Sequence, residues 1–260
     1  MSKCSIYSEN NCNCKRISTL LEELKYKIKF YCSGKHKCNM NIINWNGLAE
    51  ENVKKLFEML KKRIWLEIDD NRCVIETICN NSSQIDQLEL NNLISIIWIN
   101  TNKILIIQIS DILKKPNNET TLKKYKNNSK QKKIDNNFFY FLQMIKNNVI
   151  DNKENNEIIT LLENVLILLA NDTNDLCHES NFIKHSKGEP IMKEEHSIAG
   201  RLTWLAKVCI DLFNILSFIL WTTNSSYFDP RKGGLDLIHI NEMIKLGKKA
   251  KFESLGYKRI

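Results

Sequence analysis

The chain has 260 residues, of which 43% are hydrophobic and 26% are charged; this composition predicts a folded protein with a sizeable core and excludes a disordered chain. The N-terminal sequence MSKCSIYSENNCNCK lacks the apolar stretch of a secretory signal, so we expect an intracellular protein, nuclear or cytoplasmic, whose nine cysteines are reduced. Most of the net charge of +8 lies in a single segment, and a local cationic excess attracts polyanions such as nucleic acids.

The first elements combine a helical and a strand-like pattern. Residues 1–15 are polar and are expected to form a loose N-terminus. In 16–24 apolar residues recur every three or four positions, which indicates a short amphipathic helix. In 25–32 apolar residues alternate with lysines and Tyr31, and the alternation returns in 38–44 after the turn-forming SGKHK, so the pattern predicts a β-hairpin. The alternative is a helix that continues through Ile28.

The clearest helix of the first half spans residues 48–63. Its apolar residues keep a spacing of three and four, from Val53 to Ile64. Glu50 and Glu51 lie in its first turn and basic residues lie in its last turn, which is the order that the helix dipole favours.

Two further hairpins are predicted from β-branched runs. Residues 64–68 and 73–78 flank the turn-forming DDNR sequence. Residues 94–99 and 104–109 flank NTNK, and this second pair holds eight isoleucines in 16 positions. β-Branched side chains suit pleated sheets better than helices, although a helix over residues 86–113 is the alternative.

These elements together predict an α+β fold for the first half of the chain. Six strands would form an antiparallel sheet with one helix packed across it, in a domain over residues 16–113. The alternative is an all-α protein.

A lysine-rich segment at residues 114–134 interrupts every pattern and is the predicted linker between two domains. Its residues 114–133 hold eight lysines and one glutamate. Its lysines are the predicted phosphate contacts: Lys114, Lys115, Lys123, Lys124, Lys126, Lys130, Lys132 and Lys133.

A helical domain is predicted for residues 135–260, with helices at 135–150, 154–170, 191–222 and 235–250, and a polar loop at 171–190. Three lysines of its basic tail are predicted to add a second phosphate contact: Lys248, Lys249 and Lys251.

The stretch Trp204–Trp221 is apolar enough to be tested as a membrane span. Its polar residues lie along one helical face: Lys207, Asp211, Asn214 and Ser217. Because lysine and aspartate near the middle of a span are unfavourable by roughly 2.5–3.5 kcal/mol each, we expect a core helix with one solvated stripe and no membrane span.

Two groups of residues are candidates for chemistry. Four thiols and one imidazole within 27 residues are candidate zinc ligands, although their spacing differs from the usual paired knuckles and ordinary thiols are the alternative: Cys12, Cys14, Cys32, His36 and Cys38. Cys177, His178, His185 and His196 are the candidates for an unrecognised enzymatic site, and a solvated polar loop is the alternative. No nucleotide-binding or hydrolase motif occurs in the chain.

The sequence thus favours a non-catalytic subunit or adaptor that binds other proteins and contacts DNA or RNA through its lysines. The apolar strings FFYFLQMI (138–145) and LFNILSFILW (212–221) resemble helices of accessory proteins of DNA-break and recombination machinery, and this resemblance implies a chromosome-associated complex. It assigns no role to any residue. An enzyme and a zinc-stabilised interaction domain are the alternatives.

Overall fold

The structure, a computed structural model, describes residues 13–33, 42–45, 50–80, 91–114, 137–179 and 192–221. These residues are almost entirely helical and hold no sheet, so the predicted N-terminal antiparallel sheet is wrong and the all-α alternative fits. The elements are α1 (Asn13–Ser33), α2 (Glu50–Lys62), a π-helical segment (Arg63–Asp69), α3 (Asp70–Asn80), α4 (Asn91–Ile112), α5 (Phe138–Asn148), α6 (Lys153–Glu179) and α7 (Met192–Trp221).

Helix α1 covers the first predicted strand. Ile17, Leu21, Leu24 and Ile28 are buried at helical spacing, whereas the alternating pattern would also bury Tyr26, which is 68% exposed. A helix therefore removes the leucines and isoleucines of this stretch from water. The helical alternative for this stretch is confirmed. Of the second predicted strand, residues 38–41 lie outside the described residues.

The predicted hairpin at 64–78 is also wrong, because α2, the π segment and α3 follow one another without a break. Ile64, Ile68 and Ile75 are buried, but Arg72 lies in the core between them. A buried arginine interrupts the apolar pattern that would otherwise indicate a helix.

Helix α4 replaces the hairpin predicted at 94–109. Trp98, Leu105, Ile109 and Ile112 are buried at helical spacing. Asn102 occupies the core position among them, and its Nδ2 donates to the Trp98 carbonyl oxygen at 2.8 Å. Burial in the helix bundle thus overrides the strand preference of the isoleucines.

A short extended segment joins the two halves of the chain. Ile43 pairs with Val149 in an isolated antiparallel bridge. The Asn44 N–H donates to the Asn148 carbonyl at 2.8 Å, and the Ile150 N–H donates to the Ile42 carbonyl at 2.9 Å. This pairing fixes the turn between α5 and α6.

Helix α7 lies in the centre of the core and packs against α3, α4 and the π segment. An aromatic cluster ties it to α2 and α5: Phe57 stacks on Phe213 at 4.5 Å between ring centroids, with Trp221 at 4.6 Å and Phe141 at 5.6 Å. Helices from both sides of residues 114–134 contribute to this one core. The division of the chain into domains at that segment stays a prediction.

The other helix predictions agree with the described residues in most places. Those at 48–63, 135–150, 154–170 and 191–222 correspond to α2, α5, α6 and α7. The polar loop begins later than predicted, because residues 171–179 still belong to α6. Residues 235–250 lie outside the described residues.

By length and composition, Ala199–Trp221 is the one stretch of the described helices that qualifies as a membrane span, and 78% of its most apolar window is buried inside the protein. The core helix of a soluble protein passes the same test.

Replacement of Gly200 by alanine is expected to stabilise the protein. Gly200 is exposed within α7, and an added Cβ meets no atom within 4 Å. Because glycine in a helix is less favourable than alanine by about 0.5–1 kcal/mol, Gly200→Ala should raise the free energy of unfolding by that amount, as measured by urea denaturation. A lower free energy of unfolding would contradict the helical placement of Gly200.

Candidate functional site

Positive charge is separated from the described helices. The described residues contain 18 Lys and Arg against 20 Asp and Glu, a net charge of −2. Since the chain carries +8, its remaining segments carry +10. The described helices are thus slightly acidic, and the cationic excess lies in the lysine-rich segment, the tail and other stretches outside the described residues.

The two ends of the lysine-rich segment meet at one point of the helical body. The Asn137 Nδ2 donates to the Lys114 carbonyl oxygen at 3.3 Å. The Oδ1 of the same side chain accepts from the Tyr140 N–H at 2.9 Å and caps α5. Asn137 is buried, so one side chain joins the end of α4 to the start of α5. Lys114 and Asn137, which flank the 22 residues 115–136, are therefore in contact with each other.

Of the predicted phosphate contacts, Lys114 is described and is exposed. The others lie outside the described residues: Lys115, Lys123, Lys124, Lys126, Lys130, Lys132, Lys133, Lys248, Lys249 and Lys251. Their role stays a prediction.

Of the candidate zinc ligands, Cys14 is buried in the first turn of α1. The side chains of Cys12, Cys32, His36 and Cys38 lie outside the described residues. Within the part of the chain that is described, no group of three or more His, Cys, Asp or Glu side chains is arranged to hold a metal ion. The zinc site stays a prediction.

Of the candidate enzymatic residues, Cys177 is the one whose side chain lies among the described residues. Cys177 is exposed on α6, and partial burial raises its pKa despite a hydrogen bond with Ser110. A raised pKa disfavours the thiolate, which is the nucleophilic form. The side chains of His178, His185 and His196 lie outside the described residues, so this group also stays a prediction.

The most polar part of the core is a chain of four alternating charges. The Arg72 Nε lies 2.7 Å from the Asp69 Oδ1, and its Nη1 lies 2.6 Å from the Glu76 Oε2. The Glu76 Oε1 then accepts from the Lys207 Nζ at 2.7 Å. Asp69 and Arg72 are no more than 1% exposed, whereas Lys207 is 44% exposed. The chain therefore runs from the core to the surface and links α3 to α7.

The π segment brings Asp69 to the inside. In an α-helix, five residues turn the chain by about 500°, so Asp69 would point about 140° away from Ile64. In a π-helix the hydrogen bonds run from i to i+5 and each residue turns the chain by a smaller angle, which brings Asp69 closer to the side of Ile64. Both residues are buried. The wider turn thus helps to place Asp69 inside, where Arg72, three residues later, pairs with it.

This ion-pair chain is suited to cross-linking helices rather than to acid–base chemistry. Burial disfavours the charged guanidinium, but the neighbouring Asp69, Cys73 and Glu76 outweigh that effect and raise the pKa of Arg72. Both carboxylates are bound to cationic groups. The four side chains therefore hold the π segment, α3 and α7 together.

The sequence interpretation missed this site. It placed Asp69 in a solvated turn, which is wrong because Asp69 is fully buried. A signal was present in DDNRCVIE, where acid, base and acid are spaced by three and four residues, as in helical ion pairs. The pairing of Glu76 with Lys207 joins residues 131 positions apart and has no local signal.

The predicted solvated stripe of α7 is only partly correct. Lys207 pairs with α3, as described, and the Asp211 Oδ2 lies 2.9 Å from the Lys25 Nζ of α1. Ser217 is 2% exposed and belongs to the core. Further towards the N-terminus of α7, Arg201 forms a two-point contact with the buried Asp172 of α6, at 2.5 and 3.3 Å. Most of the stripe therefore faces other helices.

No protein-family model, curated protein or solved structure matches this chain. The described part is an all-α body of slightly negative charge in which Lys114 and Asn137, on either side of residues 115–136, are in contact.

Replacement of Arg72 tests the ion-pair chain. Arg72→Met leaves Asp69 buried without its cation, so the free energy of unfolding should fall by about 3–5 kcal/mol. The double variant Asp69→Asn, Arg72→Met should recover part of this loss, because the isolated charge is gone. Lys207→Met, at the exposed end, is the matched control and should change stability by about 1 kcal/mol or less. Urea denaturation measures all three, and an unchanged stability of Arg72→Met would contradict the buried pair.

The alkylation of Cys79 tests the environment at the end of α3. Burial and then the Glu76 carboxylate raise the pKa of Cys79 to about 11. Because the thiolate is the reactive form, its alkylation rate in the folded protein should rise about tenfold per pH unit between about pH 8 and pH 10. In the unfolded chain the rate should level off just above the ordinary pKa of about 8.5. Peptide mapping by mass spectrometry measures both rates, and a plateau near pH 9 in the folded protein would contradict this environment.

Proposed function

We propose that this protein is a non-catalytic subunit or adaptor of a nucleic-acid-associated complex, in DNA processing or on chromosomes. It contacts phosphates through the lysine-rich segment and the basic tail, and it binds partner proteins through its helical body. The separation of charge carries the proposal: −2 on the described residues against +10 on the rest of the chain.

Counterion release explains why this separation matters. Lysines that neutralise phosphates release condensed cations, and the resulting affinity does not depend on sequence. A body with a slight negative charge adds no attraction of its own. The position and strength of phosphate contacts are then set by the basic segments.

The closed base of the lysine-rich segment supports the proposal further. Because residues 115–136 start and end at the contact between Lys114 and Asn137, no lysine among them is more than about 11 residues from the body along the chain. Eleven extended residues reach at most about 40 Å. All seven lysines between these two residues are thus tethered within that distance of one point of the body, which allows several of them to contact the same nucleic acid.

The described ionisable groups support a non-catalytic role. The buried charges Asp69, Arg72 and Asp172 are used in ion pairs, Asp69 with Arg72 and Asp172 with the partly buried Arg201. Cys79, Cys177 and Cys209 have raised pKa values because of burial, and their thiols are therefore held protonated.

The experiment compares two variants that lose the same charge. In the first, Lys123, Lys124, Lys132 and Lys133 of the lysine-rich segment become glutamine. In the second, four exposed lysines of the helical body become glutamine: Lys15, Lys55, Lys62 and Lys153. Binding to a fluorescent 30-base-pair DNA and to an RNA of the same length is measured by anisotropy at several salt concentrations.

The segment variant should bind more weakly, and its slope of log K against log[salt] should fall by about 0.9 for each lysine that contacts a phosphate of duplex DNA. The body variant should keep most of the affinity and slope of the unmodified protein. Equal effects of the two variants, or binding that does not change with salt, would contradict the proposal.

A further inference from the structure

Helix α4 is apolar on two sides. One side faces the core with Leu105, Ile109 and Ile112. The other side presents Ile96, Ile104 and Ile107 to solvent, and Ile107 is 61% exposed. A helix that is apolar all round is normally covered all round, and a ridge of exposed isoleucines is typical of an interaction surface.

The π segment extends this surface. It packs against α4, with Arg63 at 3.9 Å from Asp111. The next helix, α3, adds a contact from the Asn71 Nδ2 to the Gln108 Oε1 at 2.9 Å. Leu66 belongs to the π segment and is 60% exposed. The segment that packs against α4 thus carries an exposed leucine of its own.

The ridge carries one positive and one negative charge, placed so that two copies of the same ridge can pair them. Lys103 and Asp111 each lie four residues from Ile107, one on either side, and residues spaced by four share one helical stripe. If two copies of α4 cross antiparallel with a two-fold axis at Ile107, each Lys103 faces Asp111 of the second copy. An isologous two-fold interface requires this kind of self-complementarity, whereas an unrelated partner does not.

We propose that the protein forms a homodimer through the α4 ridge, with the two helices antiparallel and Ile107 at the centre. Ile104 and Ile107 supply the apolar contact, and Leu66 of the adjacent π segment is a further exposed apolar residue. Because α4 ends at Ile112, two copies centred on Ile107 overlap over residues 102–112, a length of about 16 Å.

The dimer does not depend on the proposed function, but it would place two lysine-rich segments side by side. Lys114 follows Ile107 by seven residues, so the starts of the two segments would lie about 21 Å apart along the helix axes. Two linked cationic segments bind one polyanion with a higher effective concentration than either alone.

Sedimentation equilibrium without nucleic acid, from about 1 to 100 μM, tests the dimer. The expected species has twice the 30.5 kDa mass of the chain. Ile107→Glu places two like charges at the centre of the interface and should yield a monomer that keeps its helical circular dichroism. Tyr26→Glu, at an exposed aromatic residue of α1, is the matched control and should remain dimeric. A monomeric unmodified protein, or a dimeric Ile107→Glu variant, would overturn the proposal.

A charge exchange tests the antiparallel register. Lys103→Glu and Asp111→Lys should each raise the dissociation constant about tenfold or more, because each creates two like-charge contacts per dimer. All three variants are made in an Arg63→Gln background, because Arg63 lies 3.9 Å from Asp111 in the same chain and would repel a lysine there. The double variant restores opposite charges and should bring the constant back to within about threefold of the Arg63→Gln value. Failure of the double variant to recover, with circular dichroism unchanged, would exclude the two-fold axis at Ile107.

Discussion

The burial of α7 (Met192–Trp221) is the interaction on which the arrangement of the other helices depends. Its apolar residues from Leu202 to Leu220 contribute much of the core, and each large side chain removed from water stabilises the fold by roughly 1.5–3 kcal/mol. Helices α3 and α4 and the π segment pack around it. The charges that α7 carries do not oppose this burial, because Arg201, Lys207 and Asp211 each contact an opposite charge on another helix.

The π segment follows from the same constraint. Ile64 and Ile75 both face the core, yet Asp69 and Arg72 are buried between them. A buried ion pair contributes little net stability, but an arrangement that leaves one of its charges alone is strongly disfavoured. The π turn brings Asp69 inside together with Ile64 and Ile68. Asp69 and Arg72 are spaced by three residues and are therefore neighbours on one helix face, so the guanidinium keeps the Asp69 carboxylate from being buried alone.

Much of the chain's organisation can be predicted from sequence, and the errors have identifiable physical causes. The later helices are evident because their apolar residues recur regularly. The first half fails where a polar residue lies in a core position, as Asn102 does in α4 and Arg72 does in α3. Tyr26 causes the opposite error: it completes the alternating apolar pattern that predicts a strand, although its side chain is exposed. Local periodicity does not show which polar side chains find partners inside.

The candidate sites differ in the same way in how far they can be predicted from the sequence. The lysine-rich segment is visible in the sequence as a charge count, because it depends on composition alone. The contact of Asn137 with Lys114 that closes its base and the pairing of Glu76 with Lys207 join residues that are far apart in the chain. Such pairings follow from the packing of the helices, so a single sequence does not reveal them.

The closure of the base has a consequence for how the chain tolerates variation. Two anchors that touch each other impose no minimum span on the residues between them. The contact between Lys114 and Asn137 can therefore form with a shorter or a longer segment between them, and each doubling of the length raises the entropic cost of closure by only about 0.6 kcal/mol. A change in the number of lysines between these two residues is thus compatible with the same junction of α4 and α5.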